Sequence, residues 1–278
     1  MDDNSYDKVE EAIAYLKSKG LENAFTGIIL GTGLSGFVKE IKIEKEISYS
    51  DIPHFPISTV ESHAGKLIYG TVENKKVIAM QGRFHFYEGY SLHQIVFPIR
   101  VLKMLGIKYL LISNAAGAIN LDFKKGNLML INNHINLLHS NPLVGKNDNR
   151  FGTRFPDMSS AYNKTLNEKL ESIEEKENIT LYNGIYAAVS GPNLETRAEY
   201  RYLKKIGADA VGMSTVPEVI AANHLQLSCA VVSVITDECD PDNLKAVDIK
   251  EIIEVAGKAE VKLSLLFKKL IDEHYTRF

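Results

Sequence analysis

Between two apolar runs, Val77 to Met80 and Ile95 to Leu105, lies Gly82-Arg83-Phe84-His85-Phe86-Tyr87-Glu88-Gly89-Tyr90, which sets a guanidinium, an imidazole and a carboxylate among four aromatic rings. Folding alone does not require that mixture. The first run reads as a strand and the second as a helix, so the polar groups fall at a strand's C-terminal end, where open α/β sheets bind ligands. If the strand continues through the cluster, Arg83 and His85 alternate onto one face and offer a rigid fork beside a titratable donor, a pair suited to an oxyanion such as phosphate. The competing reading is an aromatic strand end carrying an incidental surface Arg, since aromatics at strand termini are ordinary core residues.

A second candidate anion site is Gly31-Thr32-Gly33-Leu34-Ser35-Gly36, which satisfies G-x-G-x-x-G directly after the apolar stretch Gly27 to Leu30. The pattern raises an NAD-dependent dehydrogenase as an alternative. That fold needs a helix after the glycines, a second parallel strand and an acidic residue about twenty positions on. Here Ile41, Ile43 and Ile47 alternate with charges as in a strand, and Asp51 falls in an Asp51-Ile52-Pro53 turn. Backbone N–H groups freed by glycine, with the Thr32 and Ser35 hydroxyls, still make an anion-holding concavity without any nucleotide. A plain structural turn remains the other reading of the loop.

The elements that must position these groups alternate in type. An amphipathic helix spaced by Val9, Ala12, Ile13 and Leu16 opens the chain, and strands are expected at Leu67 to Val72, Val77 to Met80, Tyr109 to Ser113, Leu128 to Ile131, Tyr182 to Val189, Ala210 to Met213 and Ser228 to Ile235. Helices are expected over Ser91 to Leu105, Asn163 to Glu175, Glu195 to Ile206, Pro217 to Gln226 and Ile249 to Ile271. The early hairpin and the Asn-, Gly-, Pro- and Arg-rich loop from about Ser140 to Ser160 argue against a purely parallel sheet. The expected fold is therefore α/β, one domain over residues 1–278 with a mixed central sheet flanked by helices.

Composition narrows the partners. The chain has 278 residues, 45% hydrophobic and 24% charged, with a formal net charge of -3, so it has no field suited to nucleic acid or an anionic membrane. Two cysteines, Cys229 and Cys239, make neither a disulfide framework nor a zinc cluster and fit a reducing compartment. With no signal-like N-terminus and no long apolar run, a cytoplasmic protein acting on a small molecule is expected.

Six segments occur in order: Gly31-Thr32-Gly33-Leu34, Ser62-His63-Ala64-Gly65, Gly82 to Gly89, Asn114-Ala115-Ala116-Gly117, Gly191-Pro192-Asn193-Leu194-Glu195-Thr196, and Met213-Ser214-Thr215-Val216-Pro217-Glu218. In this the chain resembles the trimeric purine nucleoside phosphorylases, from about residue 25 to beyond 260. The resemblance implies that inorganic phosphate attacks the anomeric carbon of a purine nucleoside, giving free base and ribose 1-phosphate, with no metal or organic cofactor. It places phosphate on Thr32, His63, Arg83, His85, the Ala115 N–H and Ser214. It places the ribose against Tyr87 and Met213, with Phe151 reaching across from a neighbouring subunit of a homotrimer. It assigns the purine to Glu195, Thr236 and Asp237, with Tyr186 and Leu194 nearby, and gives the chemistry to His85, Glu195 and Asp237.

Three departures from the family pattern bear on substrate. Asp237 stands where inosine- and guanosine-acting members carry Asn; an ionised carboxylate suits a 6-amino donor, whereas a protonated one can donate to O6. Glu195 accepts from N1–H and so favours 6-oxopurines, which are expected as the preferred substrates with some tolerance of adenosine; an adenosine- or methylthioadenosine-preferring enzyme is the alternative. Alone, Glu195 also reads as a carboxylate complementing a helix N-terminus. Leu194 replaces the usual Phe, and the region of the family's 5'-hydroxyl histidine offers only Asp248 or Lys250.

Overall fold

A computed structural model describes residues 5–59 and 64–274, so the expected phosphate ligand His63 lies outside the described residues. The chain opens with helix α1 (Ser5–Ser18), whose Val9, Ala12, Ile13 and Leu16 are buried, followed by strands β1 (Thr26–Leu30), β2 (Lys42–Ser48), β3 (Lys66–Val72) and β4 (Lys75–Gln81). The single helix expected over Ser91 to Leu105 is two: α2 (Leu92–Ile95), capped by Ser91, and α3 (Phe97–Leu105), with Pro98 in its first turn. Proline has no N–H to continue the first helix and its fixed φ starts the second.

Strands β5 (Tyr109–Ala118) and β6 (Leu128–Asn136) follow, then α4 (Lys164–Glu177), β7 (Leu181–Ala188), α5 (Arg197–Lys205), β8 (Ala210–Gly212), α6 (Val216–His224), β9 (Ser228–Glu238) and α7 (Ile249–His274). The sheet runs β2-β3-β4-β1-β5-β8-β7-β6-β9, and β9 pairs also with β5. Strands β5, β8, β7, β6 and β9 thus close a ring, with β1 to β4 as an open limb attached through β5. Parallel pairs (β1 with β4 and β5, β5 with β9) and antiparallel ones (β2–β3, β3–β4, β5–β8) make the sheet mixed, as the sequence predicts.

Alternation along the strands divides the core into two layers. Ile29, Ile78, Ile112 and Val231 point into a cluster with α1, α3 and α6, whereas Ile28, Val77, Leu111 and Val232 point into one with α4 and α7. Because β1, β4, β5 and β9 run parallel, their C-terminal ends come together on one side of the molecule. No described helix is long and apolar enough to cross a membrane.

Candidate active site

At that shared end lies a cavity of about 360 Å3 whose walls come from the exits of β1 (Thr32), β4 (Arg83, His85, Tyr87), β5 (Asn114 to Gly117), β8 (Met213, Ser214) and β9 (Thr236, Asp237), completed by Leu194, Glu195 and Tyr200 before and in α5 and by Ile249 and Ile252 of α7. Two glycines make the convergence possible. A Cβ on Gly31 would sit 2.8 Å from the Asn114 Cα and the Ser113 carbonyl, and one on Gly117 would sit 2.9 Å from Asp237 Oδ2. Any larger residue at Gly117 would push Asp237 out of position.

One end of the cavity is built for an anion. Strand β4 stops at Gln81, so Arg83 and His85 stand beyond the strand rather than on its face. Arg83 is 2% exposed; its Nη1 donates to Ser214 Oγ (2.7 Å) and Thr215 Oγ1 (3.1 Å), its Nη2 to the Ser113 carbonyl (2.9 Å), and its Nε lies 3.6 Å from Glu218 Oε1 of α6. A guanidinium held on all sides cannot swing away, and a fixed fork suits a tetrahedral oxyanion. Thr215, at φ 74°, is the centre of a γ-turn closed by Val216 N–H donating to the Ser214 carbonyl (2.8 Å). A β-branched residue in that region is strained. Donations from Arg83 and from Asn114 Nδ2 (2.9 Å) to its hydroxyl hold it there, which fixes Ser214 beside Arg83.

His85 is oriented by Glu88, three residues on. Glu88 Oε1 accepts from the His85 backbone N–H (2.8 Å) and meets its Nδ1 (2.9 Å), while Oε2 accepts from the Thr59 backbone and hydroxyl (2.8 and 2.6 Å). An ionised carboxylate there calls for the ring proton on Nδ1, and the ring stacks on Tyr87 at 4.7 Å. Burial pushes the Glu88 carboxyl up, yet the hydrogen bonds from His85 and Thr59 outweigh it and hold the pKa down at about 2. A depressed carboxyl stabilises the fold above its unfolded value and loses that contribution as pH falls through its folded value. The stability advantage of wild type over Glu88→Gln is therefore expected to be full above about pH 4.5 and gone by about pH 2, measured by denaturant unfolding across that range; equal stability of the two proteins at pH 6 would contradict it. Burial, with Glu88 adding to it, raises the Tyr87 phenol to about 12, so Tyr87 stays a neutral donor.

The opposite end carries carboxyls. Asp237 Oδ1 accepts from the Thr236 hydroxyl (2.9 Å) and Oδ2 from the Cys239 thiol (3.3 Å), while Thr236 Oγ1 also approaches the Ala116 carbonyl (3.3 Å). Burial pushes the Glu195 carboxyl up, with Glu199 and Asp237 adding to the shift and Tyr200 opposing it. Helix α5 begins only at Arg197, with Thr196 as its cap and Glu199 completing the capping box. Glu199 therefore does the work at the helix N-terminus, and Glu195 is left to the cavity. A cation and hydroxyl donors at one end and two hydrogen-bonding carboxyls at the other can hold an oxyanion and a heterocycle at once.

The family model of the phosphorylase superfamily matches residues 26–272. Purine nucleoside phosphorylase 1 of Bacillus subtilis is 47% identical over 268 residues, covering 96% of this chain and 99% of the relative. The chain belongs to the purine nucleoside phosphorylases of that superfamily. Among solved structures, isoform 2 of the Schistosoma mansoni purine nucleoside phosphorylase, in complex with cytosine and ribose-1-phosphate, superimposes with a TM-score of 0.91 at 41% identity over 96% of both chains. A Schistosoma mansoni purine nucleoside phosphorylase in complex with adenosine and a schistosoma purine nucleoside phosphorylase in complex with hypoxanthine are each 36% identical, with a TM-score of 0.90 over 96% of both chains.

Of the site residues expected from sequence, this phosphorylase brings Thr32, Arg83, His85, Tyr87, Ala115, Leu194, Glu195, Met213, Ser214, Thr236 and Asp237 to one cavity. Two are elsewhere. Tyr186 is fully buried behind the wall, its hydroxyl accepting from Ser214 N–H at 3.4 Å, so it supports Ser214 and does not touch the cavity. Phe151 is 3% exposed, packed on Tyr6 (5.4 Å between ring centroids) and under the Arg100 guanidinium (4.8 Å); a ring so enclosed in its own subunit cannot cross to a neighbour. Four residues on, Phe155 is 86% exposed on the same loop, which Arg154 ties down through the Leu143 and Gly145 carbonyls. Neither Asp248 nor Lys250 reaches the cavity, where α7 presents Ile249 and Ile252. Asn114, Thr215 and Glu218 stand inside the motif segments but have no role assigned from sequence, and Tyr200 and Cys239 lie outside those segments.

Proposed function

We propose that this enzyme cleaves inosine and guanosine and their 2'-deoxy forms in preference to other nucleosides, with phosphate at the Arg83 end and the base against Glu195 and Asp237. The observation that carries the reading is the cavity's division between a fixed cation with hydroxyl donors and a pair of carboxyls. In the reaction the glycosidic bond breaks ahead of phosphate attack, leaving positive charge on the sugar and negative charge on the purine. Phosphate held by Thr32, Arg83, His85, the Ala115 N–H and Ser214 faces the cationic sugar. Asp237 strengthens its hydrogen bond as N7 gains a proton, an interaction made mainly in the transition state. Tyr87 donates to the ribose and Met213 lies against its apolar face. No metal or organic cofactor is invoked, and purine salvage in the cytoplasm is the setting this chemistry suits.

An adenosine- or methylthioadenosine-preferring enzyme is the second reading, favoured by the carboxylate of Asp237 and by the apolar Ile249 and Ile252 along α7. Specificity constants for inosine, guanosine, adenosine and methylthioadenosine, measured in one phosphate buffer, separate the two. An inosine constant below that for adenosine would overturn the stated preference.

The enzyme is proposed to act as a homotrimer in which Phe155, rather than Phe151, covers the sugar of the neighbouring subunit. Phe155 is 86% exposed on the long loop after β6, with the Arg154 guanidinium over its ring, in a position that a second subunit can cover. Mixing inactive Phe155→Ala with inactive Glu195→Ala subunits should restore activity, because a hybrid interface carries one intact site. Phe151→Ala should instead lose about 3–5 kcal/mol of stability, as for a buried aromatic. No recovery after verified subunit exchange would contradict the crossing.

A further inference from the structure

Strand β9 is irregular where it passes β5: Ala116 pairs with Ile235 and Gly117 with Asp237, so Thr236 is an extra residue on β9. A bulge of this kind re-aims side chains. Here it brings Thr236 and Asp237, neighbours in sequence, to the same cavity. Cys239 follows two positions after Asp237, which alternation puts on the same side of the chain, and its N–H donates to the Ala118 carbonyl at 2.9 Å, tying the residue to β5 just past the end of β9. Gly117 leaves the slot in which the thiol and the carboxylate meet, since a Cβ there would lie 2.5 Å from Cys239 Sγ and 2.9 Å from Asp237 Oδ2.

The Asp237 carboxylate is thereby held from both sides. Its Oδ1 accepts from the Thr236 hydroxyl at 2.9 Å and its Oδ2 from the Cys239 thiol at 3.3 Å. Thr236 is 2% and Cys239 3% exposed, so bulk water does not stand in for either donor. Burial, with Asp237 adding to it, pushes the Cys239 thiol up, so the sulfur keeps the proton that it donates. Thr236 alone is a weaker hold, because its single hydroxyl proton is shared between Asp237 Oδ1 and the Ala116 carbonyl at 3.3 Å.

We infer that Cys239 is a positioning residue for phosphorolysis, which together with Thr236 fixes the Asp237 carboxylate in the orientation that meets purine N7 as the glycosidic bond breaks. The inference rests on the reading of Asp237 as the group that faces N7. A carboxylate turns readily about its terminal bond, whose torsion is broad, and a donor on one oxygen only restrains that rotation in part. Donors on both oxygens close it. The bound nucleoside carries no proton on N7, so ground-state binding gains little from a fixed carboxylate. The hydrogen bond strengthens only as negative charge develops on the purine, and a group already held in place then needs no reorganisation. Loss of the thiol is therefore a loss in the rate of the chemical step and not in nucleoside affinity.

Single-turnover phosphorolysis of inosine at saturating phosphate, with inosine binding measured separately in the absence of phosphate, reads the two quantities apart. Cys239→Val, which fills the slot without a donor, should lower the single-turnover rate constant ~10-fold while inosine affinity stays within about twofold of wild type. Cys239→Ser, which keeps a donor, should recover most of that rate, and Cys239→Val should add no further loss in an Asp237→Ala background, where nothing is left for it to hold. A side chain that merely filled space would give the opposite order, with Val near wild type and Ser impaired. Equal losses in Val and Ser, no loss in Val, or losses that multiply in the double variant would overturn the positioning role while leaving Asp237 at the purine. Asp237→Ala with the wild-type rate constant would overturn the placing of Asp237 at N7 and the inference with it.

Discussion

Arg83→Ala is expected to lower kcat/KM for phosphate by ~10² or more, the scale of losing one preorganised charge-stabilising group. Arg83 is the one permanent cation among the lining residues of the cavity, and its contacts to Ser214, Thr215 and the Ser113 carbonyl point it there at no reorganisation cost. A second consequence must be separated from the first. Glu218, 3.6 Å from Arg83 Nε and 3% exposed, loses its counter-ion, and an uncompensated buried charge destabilises by about 3–5 kcal/mol. Adding Glu218→Gln should recover much of that stability without recovering phosphate use. Full phosphate dependence in the folded double variant would remove Arg83 from the phosphate site.

Asp237→Asn should shift the ratio of specificity constants toward inosine over adenosine by ~10-fold or more, which needs only about 1.4 kcal/mol. The amide replaces an acceptor-only group at nearly equal volume, so packing changes little. Thr236 already donates to Oδ1 at 2.9 Å, which orients an amide with its carbonyl toward Thr236 and its NH2 toward the thiol and the base. Such an NH2 suits O6 and opposes a 6-amino group. A ratio unchanged within error would mean that the residue at 237 does not read the 6-substituent.

How much of this was legible in the chain depended on whether a residue's role is local. Arg83, His85, Glu195 and Ser214 stand in short motifs at strand exits, and alternation of apolar residues placed the strands that carry them. The closure of β5 to β9 into a ring left no such trace, because β8 has three residues and pairs with β5 through only Gly117–Val211 and Ala118–Ala210. The loop after β6 was recognised by composition, yet composition does not say which of two aromatics four residues apart faces inward. Phe151 was expected outside and is packed beneath Arg100, while Phe155 is exposed. Tyr200 falls in an expected helix and Cys239 is one of two cysteines with no role read from sequence; both enter one buried cluster because α5 docks beside the end of β9, a contact between segments about forty positions apart. The other place open to Glu195, at the start of the helix, is filled by Glu199.

Incubation of the enzyme with inosine, with and without inorganic phosphate, tests the central claim most directly. Phosphorolysis predicts hypoxanthine only when phosphate is present, with ribose 1-phosphate formed in equal amount. Hypoxanthine released at the same rate without phosphate, accompanied by free ribose, would contradict it, since water would then be the nucleophile and the Arg83 end of the cavity would have another purpose.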